Sequence, residues 1–278
     1  MNDPEIYGSD AYAPAQIAQR VESAGVGKAK LPLLQMIALG MLAGAFIGLG
    51  ALFYTVVMSD ASLSFAAGRL LGGLVFCLGL ILVVLAGAEL FTGNNLMVMA
   101  WVDRKIPGSL LLRNLLVVYV ANFAGAALLA GLVMLSGHGD FNGGRIGTTA
   151  IAIAEAKCSL GFLPALGSGI LCNILVCLAI WLTLGGRSVT DKIVAIIFPI
   201  TAFVAAGFEH CVANMYFLCL GKMMGAEISW ASIWLDNLLP VTLGNLIGGA
   251  GFVGLVYYVI YLRHRGQGDQ ARDFFGQN

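Results

Sequence analysis

The sequence is poor in charge. Only 11% of its 278 residues are charged, and fifteen Lys and Arg are matched by fifteen Asp and Glu. A chain without net charge lacks the basic surface that nucleic-acid binding requires, so we expect no nucleic-acid partner. The first thirty residues hold no apolar run, and we therefore expect no signal peptide there.

Motifs for metals and redox cofactors are also missing. The six cysteines form no Cys-x-x-Cys pair and lie mostly in apolar runs, where we interpret them as packing residues. A haem enzyme needs paired histidines on facing helices, whereas His138 and His264 lie in or beside polar segments. We therefore expect no metal, no cofactor and no enzymatic activity.

Apolar residues dominate instead. Hydrophobic residues make up 59% of the chain and the mean hydropathy is +0.88, which is typical of an integral membrane protein. The 37 glycines suit helices that pack closely in a membrane. Long runs with little or no charge predict an all-α protein with six transmembrane helices within 31–59, 70–102, 113–136, 158–186, 193–221 and 237–262.

The second and fifth runs are longer than one crossing needs, and each contains one acidic residue, Glu89 or Glu209. We expect both helices to be broken, the second by the glycines and asparagines of 87–95 and the fifth near Pro199. A break leaves backbone N–H groups without partners, so the two glutamates are expected to bond them. His210 follows Glu209 directly, and an ionisable group at such depth usually marks a pathway.

The two breaks belong to an internal repeat. Gly87, Glu89 and Asn94 recur 120 residues later as Gly207, Glu209 and Asn214, and the segments 122–126 and 245–249 echo each other. Three spans per half place the halves in opposite orientations, so the sequence predicts a 3+3 inverted repeat with broken helices two and five. The first half has Leu90 in the place of His210. We expect Thr92 to face His210 across the pseudo-twofold axis and to form a hydrogen bond with it.

The basic residues predict the orientation. With a cytoplasmic N-terminus, eleven of the fifteen Lys and Arg lie on the inner side, so both termini are expected in the cytoplasm. The chain then divides into a cytoplasmic N-terminal segment, a membrane domain and a cytoplasmic tail. The boundaries are 1–30, 31–265 (with repeats 31–136 and 157–264) and 266–278.

Four motifs in chain order carry a resemblance to a known family. They are Gly87-x-Glu89-Leu90-Phe91-Thr92, Asn173-x-x-Val176-Cys177-Leu178-Ala179, Gly207-Phe208-Glu209-His210-x-x-Ala213-Asn214-Met215 and Asn237-Leu238-x-Pro240-Val241-Thr242-x-Gly244-Asn245. With them the chain resembles the formate/nitrite transporter family, and most closely its formate channel branch. The resemblance implies an aquaporin-like fold and a homopentamer in which each protomer holds its own pore.

The resemblance also implies roles for particular residues. His210 and Thr92 form the central pair, Lys157 and Asn173 attract and hold the anion near the periplasmic side, and Glu209 and Asn214 also belong to the pathway. Glu89, Gly93 and Gly207 support the helix breaks. Apolar constrictions are implied on the cytoplasmic side by Leu80, Leu90 and Phe91 and on the periplasmic side by Phe76, Val176 and Phe203.

The expected function is a pH-dependent passive or proton-linked channel that moves formate and similar small monovalent anions in both directions. The neutral acid crosses an apolar constriction more cheaply than the anion, and a cationic His210 would stabilise the anion or protonate it. Nitrite or hydrosulfide is the alternative substrate. A water or glycerol channel would carry Asn-Pro-Ala at both breaks, and this sequence has neither copy.

The expected location is the bacterial inner membrane, where the domain contacts lipid. The N-terminal segment is expected to plug or open the cytoplasmic mouth. A cytoplasmic formate-producing enzyme is the predicted partner of that segment.

Overall fold

Ten helices follow one another in the computed structural model, which describes residues 11–263. The predicted tail 266–278, His264 and the first ten residues of the N-terminal segment lie outside the described residues. The helices are α1 Pro14–Ala29, α2 Leu33–Met58, α3 Phe65–Gly87, α4 91–102, α5 Gly108–Leu135, α6 Arg145–Cys158, α7 Phe162–Gly185, α8 Val189–Ala206, α9 Cys211–Met223 and α10 Trp230–Tyr261.

Six of these helices are long and apolar enough to cross a membrane. They are α2, α3, α5, α7, α8 and α10, and the shorter α9 is apolar as well. The six predicted spans are therefore confirmed within residues 11–263. α6, a helix of 14 residues, was not predicted, because it lies almost entirely in the polar segment between the third and fourth predicted spans.

α3 and α8 each end at a glycine in the left-handed region. Gly87 has a φ of +85° and Gly207 a φ of +79°, a conformation that a residue with a Cβ adopts only at a cost. After each glycine the chain is non-helical for three residues, and the next helix begins at Phe91 or Cys211. The helical path is therefore interrupted at two places that are 120 residues apart in the sequence. We call the interruption at 87–90 the first turn and the one at 207–210 the second turn.

Two residues expected at these turns lie elsewhere. Pro199 is inside α8, which continues to Ala206, because a proline in a helix removes a single backbone donor and a neighbouring bundle tolerates the loss. Gly93 is inside α4, where an added Cβ would make ordinary contact with the Ile180 side chain at 3.5 Å. The expected role of Gly93 in the first break is thus filled by Gly87.

Close helix pairs hold the turns in place. A Cβ on Gly125 of α5 would lie 1.9 Å from the carbonyl oxygen of Met41 in α2. A Cβ on Gly248 of α10 would lie 2.3 Å from the carbonyl oxygen of Ile170 in α7. Only glycine permits backbones to approach this closely, so α2 pairs tightly with α5, and α7 with α10.

The non-spanning helix α1 is anchored by buried charge. Glu22 is 3% exposed and forms an ion pair with Lys105, whose Nζ also lies 3.2 Å from Asp103 Oδ2. Burial raises the pKa of Glu22, and the hydrogen bond from Lys105 opposes that rise. These contacts hold the middle of α1 against the segment 103–105, and Lys28 follows in the last turn of the helix.

Candidate functional site

A buried polar pair lies between the two turns. Thr92 Oγ1 is 3.0 Å from His210 Nε2, although the residues are 118 apart in the sequence. Thr92 is fully buried and His210 is 3% exposed. Thr92 belongs to the first turn of α4, and His210 directly precedes α9, so the hydrogen bond joins the starts of these two helices.

The second ring nitrogen of His210 fixes its tautomer. The backbone N–H of Ala213 donates to His210 Nδ1 at 3.1 Å, which caps the N-terminus of α9. Because Nδ1 accepts, the neutral ring carries its hydrogen on Nε2 and donates it to Thr92 Oγ1. The ring also stacks on Phe203, with the centroids 5.9 Å apart.

Two cavities flank the pair. One has a volume of about 240 Å³ and is lined by Lys157, Glu209 and His210 among others; we call it the Lys157 cavity. The other has a volume of about 470 Å³ and is lined by Lys28 and Glu89 among others; we call it the Lys28 cavity. His210 lines the Lys157 cavity, whereas Leu90 and Gly93, which are close to Thr92 in the sequence, line the Lys28 cavity. The hydrogen-bonded pair therefore lies between the two cavities.

The Lys28 cavity contains a closed polar network. Lys28 Nζ donates to Glu89 Oε1 at 2.5 Å. Asn94 Nδ2 donates to the other carboxylate oxygen at 2.7 Å and to Asn114 Oδ1 at 2.8 Å. Asn114 Nδ2 donates to the carbonyl oxygen of Lys28 at 3.3 Å, which closes the network. The network therefore compensates a glutamate that is 6% exposed.

The Lys157 cavity contains the same network at matching residues. Lys157 Nζ donates to Glu209 Oε1 at 2.8 Å. Asn214 Nδ2 donates to Glu209 Oε2 at 2.6 Å and to Asn237 Oδ1 at 2.8 Å. Asn237 Nδ2 donates to the carbonyl oxygen of Lys157 at 2.9 Å. Each cavity therefore holds one lysine paired with one glutamate.

Lys28 is a site residue that the sequence repeat did not predict. The repeat was recognised by an offset of 120 residues, whereas Lys28 and Lys157 are 129 residues apart, because the offset differs between helices. The available signal was that each lysine precedes the first span of its half. Both lysines lie in the last turn of a non-spanning helix, α1 or α6.

Asn122 bonds the backbone of the first turn. Its Oδ1 accepts from the N–H of Phe91 at 2.9 Å. Its Nδ2 donates to the carbonyl oxygens of Gly40 at 2.7 Å and Glu89 at 2.9 Å. The amide of Asn122 thus provides a partner for one backbone N–H group and two backbone carbonyl oxygens. The N–H of Phe91 and the carbonyl of Glu89 belong to the interrupted segment itself.

Asn245 does the same at the second turn. It accepts from the N–H of Cys211 at 2.9 Å and donates to the carbonyl oxygens of Gly169 at 2.8 Å and Glu209 at 3.0 Å. The expectation that Glu89 and Glu209 bond the freed N–H groups is therefore wrong. An ionised carboxylate only accepts, whereas the interruption leaves carbonyls as well as N–H groups, and an amide matches both.

The six predicted constriction residues are all buried, but the structure places them differently. Phe76 and Phe203 line the Lys157 cavity with ring centroids 5.7 Å apart. Leu90 lines the Lys28 cavity. Phe91 packs against the Tyr119 ring at 4.9 Å. Leu80 and Val176 are 2% and 1% exposed within the same apolar core and line neither cavity.

Two predicted pathway asparagines also differ in place. Asn214 lines the Lys157 cavity, where it bonds Glu209. Asn173 does not line that cavity; its Nδ2 donates to the carbonyl oxygens of Asn245 at 2.7 Å and Thr92 at 3.3 Å. In the structure Asn173 therefore supports the backbone of the central pair. Within residues 11–263 no group of three His, Cys, Asp or Glu side chains is arranged to hold a metal ion.

Several known proteins are similar to this chain in sequence and in fold. The family model described as formate/nitrite transporter matches residues 15–259. The formate channel FocA of Escherichia coli strain K12 is 39% identical over 273 residues, which cover 91% of this chain and 96% of that protein. A solved pentameric formate channel with formate bound is 40% identical, with a TM-score of 0.77 over 83% of this chain and 98% of its own. An FNT family ion channel is 30% identical, with a TM-score of 0.81 over 88% and 98%.

Proposed function

Because this chain belongs to the formate/nitrite transporter family, we propose that it is a channel for formate and similar small monovalent anions. It is a multi-pass membrane protein with six apolar helices of spanning length. One similar structure is a formate channel with formate bound, which supports formate as the substrate here. The proposed location is the bacterial inner membrane.

The proposed pathway runs from the Lys157 cavity past His210 and Thr92 into the Lys28 cavity. The observation that carries the proposal is this hydrogen-bonded pair between two cavities that each contain a lysine and a glutamate. Each lysine presents an ammonium group with N–H donors to a monovalent anion that enters its cavity, while the paired glutamate balances its charge. The presence of matching lysine–glutamate networks on both sides suits passive movement in both directions.

At the centre the substrate passes as the neutral acid, which forms when the anion takes a proton from the solution on the supplying side and which releases that proton into the solution on the other side. Phe203 stacks on His210 and packs against Phe76, and an ion in such apolar surroundings costs several kcal/mol, whereas the uncharged acid costs far less. A carboxylic acid titrates near pH ~4, so acidic solution increases the fraction that can cross. Flux should therefore rise as the pH of the supplying side falls.

His210 acts in this proposal as a neutral donor. A cationic ring, one of the forms expected from the sequence, needs hydrogen on both nitrogens, but Nδ1 already accepts the N–H of Ala213. The neutral ring offers its Nε2 hydrogen to an oxygen of the passing acid in exchange for Thr92. The channel then needs no proton stored on the protein.

Replacements of His210 test this account in proteoliposomes that contain the purified protein. His210→Asn retains both an acceptor for Ala213 and an amide donor for Thr92, so we expect formate flux with the wild-type pH profile. His210→Leu, which copies Leu90, removes both and should lower flux at least about tenfold. His138→Asn is the matched control and should behave as wild type.

The outcomes separate two questions. A His210→Asn variant that transports formate but loses the pH dependence would refute the neutral donor in favour of a histidine that carries the proton. A wild-type protein with no formate flux would refute the channel itself. Measuring nitrite and hydrosulfide flux in the same liposomes decides between formate and the alternative substrates.

The architecture is part of the proposal. We propose an inverted 3+3 repeat in an aquaporin-like arrangement, with membrane helices interrupted at 87–90 and 207–210. The paired networks of Glu89 and Glu209 and the paired amides of Asn122 and Asn245 support it. Impermeant thiol reagents applied to single-cysteine variants of the connecting loops would test the orientation, with both termini expected in the cytoplasm.

The proposed assembly is a homopentamer in which each protomer has its own pathway. The similar formate channel is pentameric, and its structure covers 83% of this chain. Mass photometry of the protein in mild detergent should give five copies, and a monomer or tetramer would contradict the proposal. A cytoplasmic formate-producing enzyme at the N-terminal segment stays a prediction.

A further inference from the structure

The Lys157 cavity contains a second cation that the pathway described above does not use. Arg69, in the second turn of α3, is half-buried and lines this cavity. Its Nε donates to the carbonyl oxygen of Ala205 at 2.9 Å, and its Nη2 to that of Val204 at 2.8 Å. Its Nη1 lies 3.0 Å from Tyr54 Oη. These bonds hold the guanidinium at the end of α8.

The partners of Arg69 are all neutral. Two are carbonyl oxygens and one is a phenol, and no carboxylate within residues 11–263 lies within 4.0 Å of the guanidinium. Lys157, in contrast, is paired with Glu209. A guanidinium has five N–H donors, so three bonds leave two without a partner. Arg69 therefore forms no ion pair in the described part of the chain, and a bound anion would offset the cost of its half-buried charge.

The two cavities consequently differ in charge. The Lys157 cavity is lined by two cations and one carboxylate, whereas the Lys28 cavity is lined by one cation and one carboxylate that pair with each other. The position 120 residues after Arg69 is Val189, so the second half has no equivalent guanidinium. The networks of the two halves match, but their cavities do not.

We propose that Arg69 makes the Lys157 cavity a binding site for a small carboxylate, which the Lys28 cavity lacks. A guanidinium fixed by its neighbours presents its remaining N–H groups to a planar carboxylate, which accepts them with both oxygens. This inference rests on the proposed function, because the carboxylate is the transported substrate. It adds that the channel binds formate more tightly from one face than from the other.

Gly207 is part of the same arrangement. A Cβ at this position would lie 2.7 Å from Arg69 Nη2, so glycine allows the guanidinium to reach the last carbonyls of α8. At Gly87, the matching residue, an added Cβ would meet nothing within 4 Å. The asymmetry of charge is thus accompanied by an asymmetry of packing.

The test measures initial formate uptake as a function of formate concentration in right-side-out and inverted membrane vesicles. The wild type should show a lower half-saturating concentration at one face. Arg69→Gln keeps donors but removes the charge, and should raise that concentration about tenfold at this face alone, the size of one charge-assisted hydrogen bond. Arg69→Lys keeps the charge but loses the planar pair of N–H donors, and should raise the half-saturating concentration less than Arg69→Gln does.

Two controls separate binding from structure. Arg145→Gln makes the same substitution at an exposed arginine that does not line the cavity, and should leave the half-saturating concentration unchanged. Added salt should weaken formate binding at this face in the wild type more than in Arg69→Gln, which a purely structural role does not predict. Equal half-saturation at both faces, or an equal loss in Arg69→Lys and Arg69→Gln, would overturn the inference. Absence of formate uptake in the wild type would instead overturn the proposed function.

Discussion

Replacing Asn245 by leucine tests whether the amide holds the second turn together. Leucine has nearly the same size but neither accepts nor donates, so the N–H of Cys211 and the carbonyls of Gly169 and Glu209 each lose a bond at 2.8 to 3.0 Å. Each loss costs about 1 to 2 kcal/mol when the group left behind is buried, which gives about 3 to 6 kcal/mol in total. For a chain of this size that lowers the melting temperature by roughly 10 °C or more.

The repeat supplies both a duplicate and a control. Asn122→Leu removes the equivalent three bonds of the first turn and should lower the melting temperature by a similar amount. Asn95→Leu is the control, because Asn95 is 1% exposed but makes a single bond, at 3.2 Å, to the carbonyl of Asn245. Its Oδ1 has no partner in the described part of the chain, so the loss should be small.

The measurement is thermal unfolding of the purified proteins in one detergent, followed by intrinsic fluorescence and by loss of the soluble oligomer. If Asn122→Leu and Asn245→Leu melt within about 2 °C of Asn95→Leu, the amides do not hold the turns, and the matched networks are a geometric coincidence. A large effect in one half alone would show that the two turns are not equivalent in energy.

Two further predictions concern other parts of the chain. Gly207→Ala should lower the melting temperature more than Gly87→Ala, because both have positive φ but only the former also displaces Arg69; equal losses would contradict this reasoning. Burial raises the pKa of Glu22 above 4.5, so its contribution to stability is complete below that value and is lost as pH rises through the raised pKa. The protection factors of the amides in 14–29, which correct for the intrinsic fall of the exchange rate with pH, should therefore increase as the pH falls toward 5 and should not change with pH in Glu22→Gln; the same pH dependence of the protection factors in both proteins would refute this prediction.

Much of the fold was readable from the sequence because the membrane imposes it. Runs without charge must cross, and a lone glutamate in such a run must be compensated. The internal repeat also predicted that Thr92 faces His210 across a pseudo-twofold axis, and in the structure the two side chains are hydrogen-bonded. The composition of each run, the spacing of residues along it and the repeat between the two halves were enough for these predictions.

What the sequence did not reveal depends on contacts between helices. Lys28 was counted only as a basic residue of the cytoplasmic side, because its partner Glu89 is 61 residues away and no local pattern joins them. Arg69 counted only as one of the four basic residues expected on the outer side, although three bonds hold it at the end of α8. Asn122 and Asn245 belong to the matching segments 122–126 and 245–249 of the repeat. Their role could not be predicted, because it depends on how α5 and α10 pack beside the first and second turns.

The position of Lys28 changes what a truncation of the N-terminus would mean. Deleting α1 is the usual way to ask whether such a segment obstructs a mouth. Here the deletion would also take away the counter-charge of Glu89, which accepts from Lys28 Nζ at 2.5 Å, and leave a bare carboxylate facing incoming anions. A change of flux in the shortened protein would therefore reflect the lost ion pair of Lys28 and Glu89 as well as any opening of the Lys28 cavity.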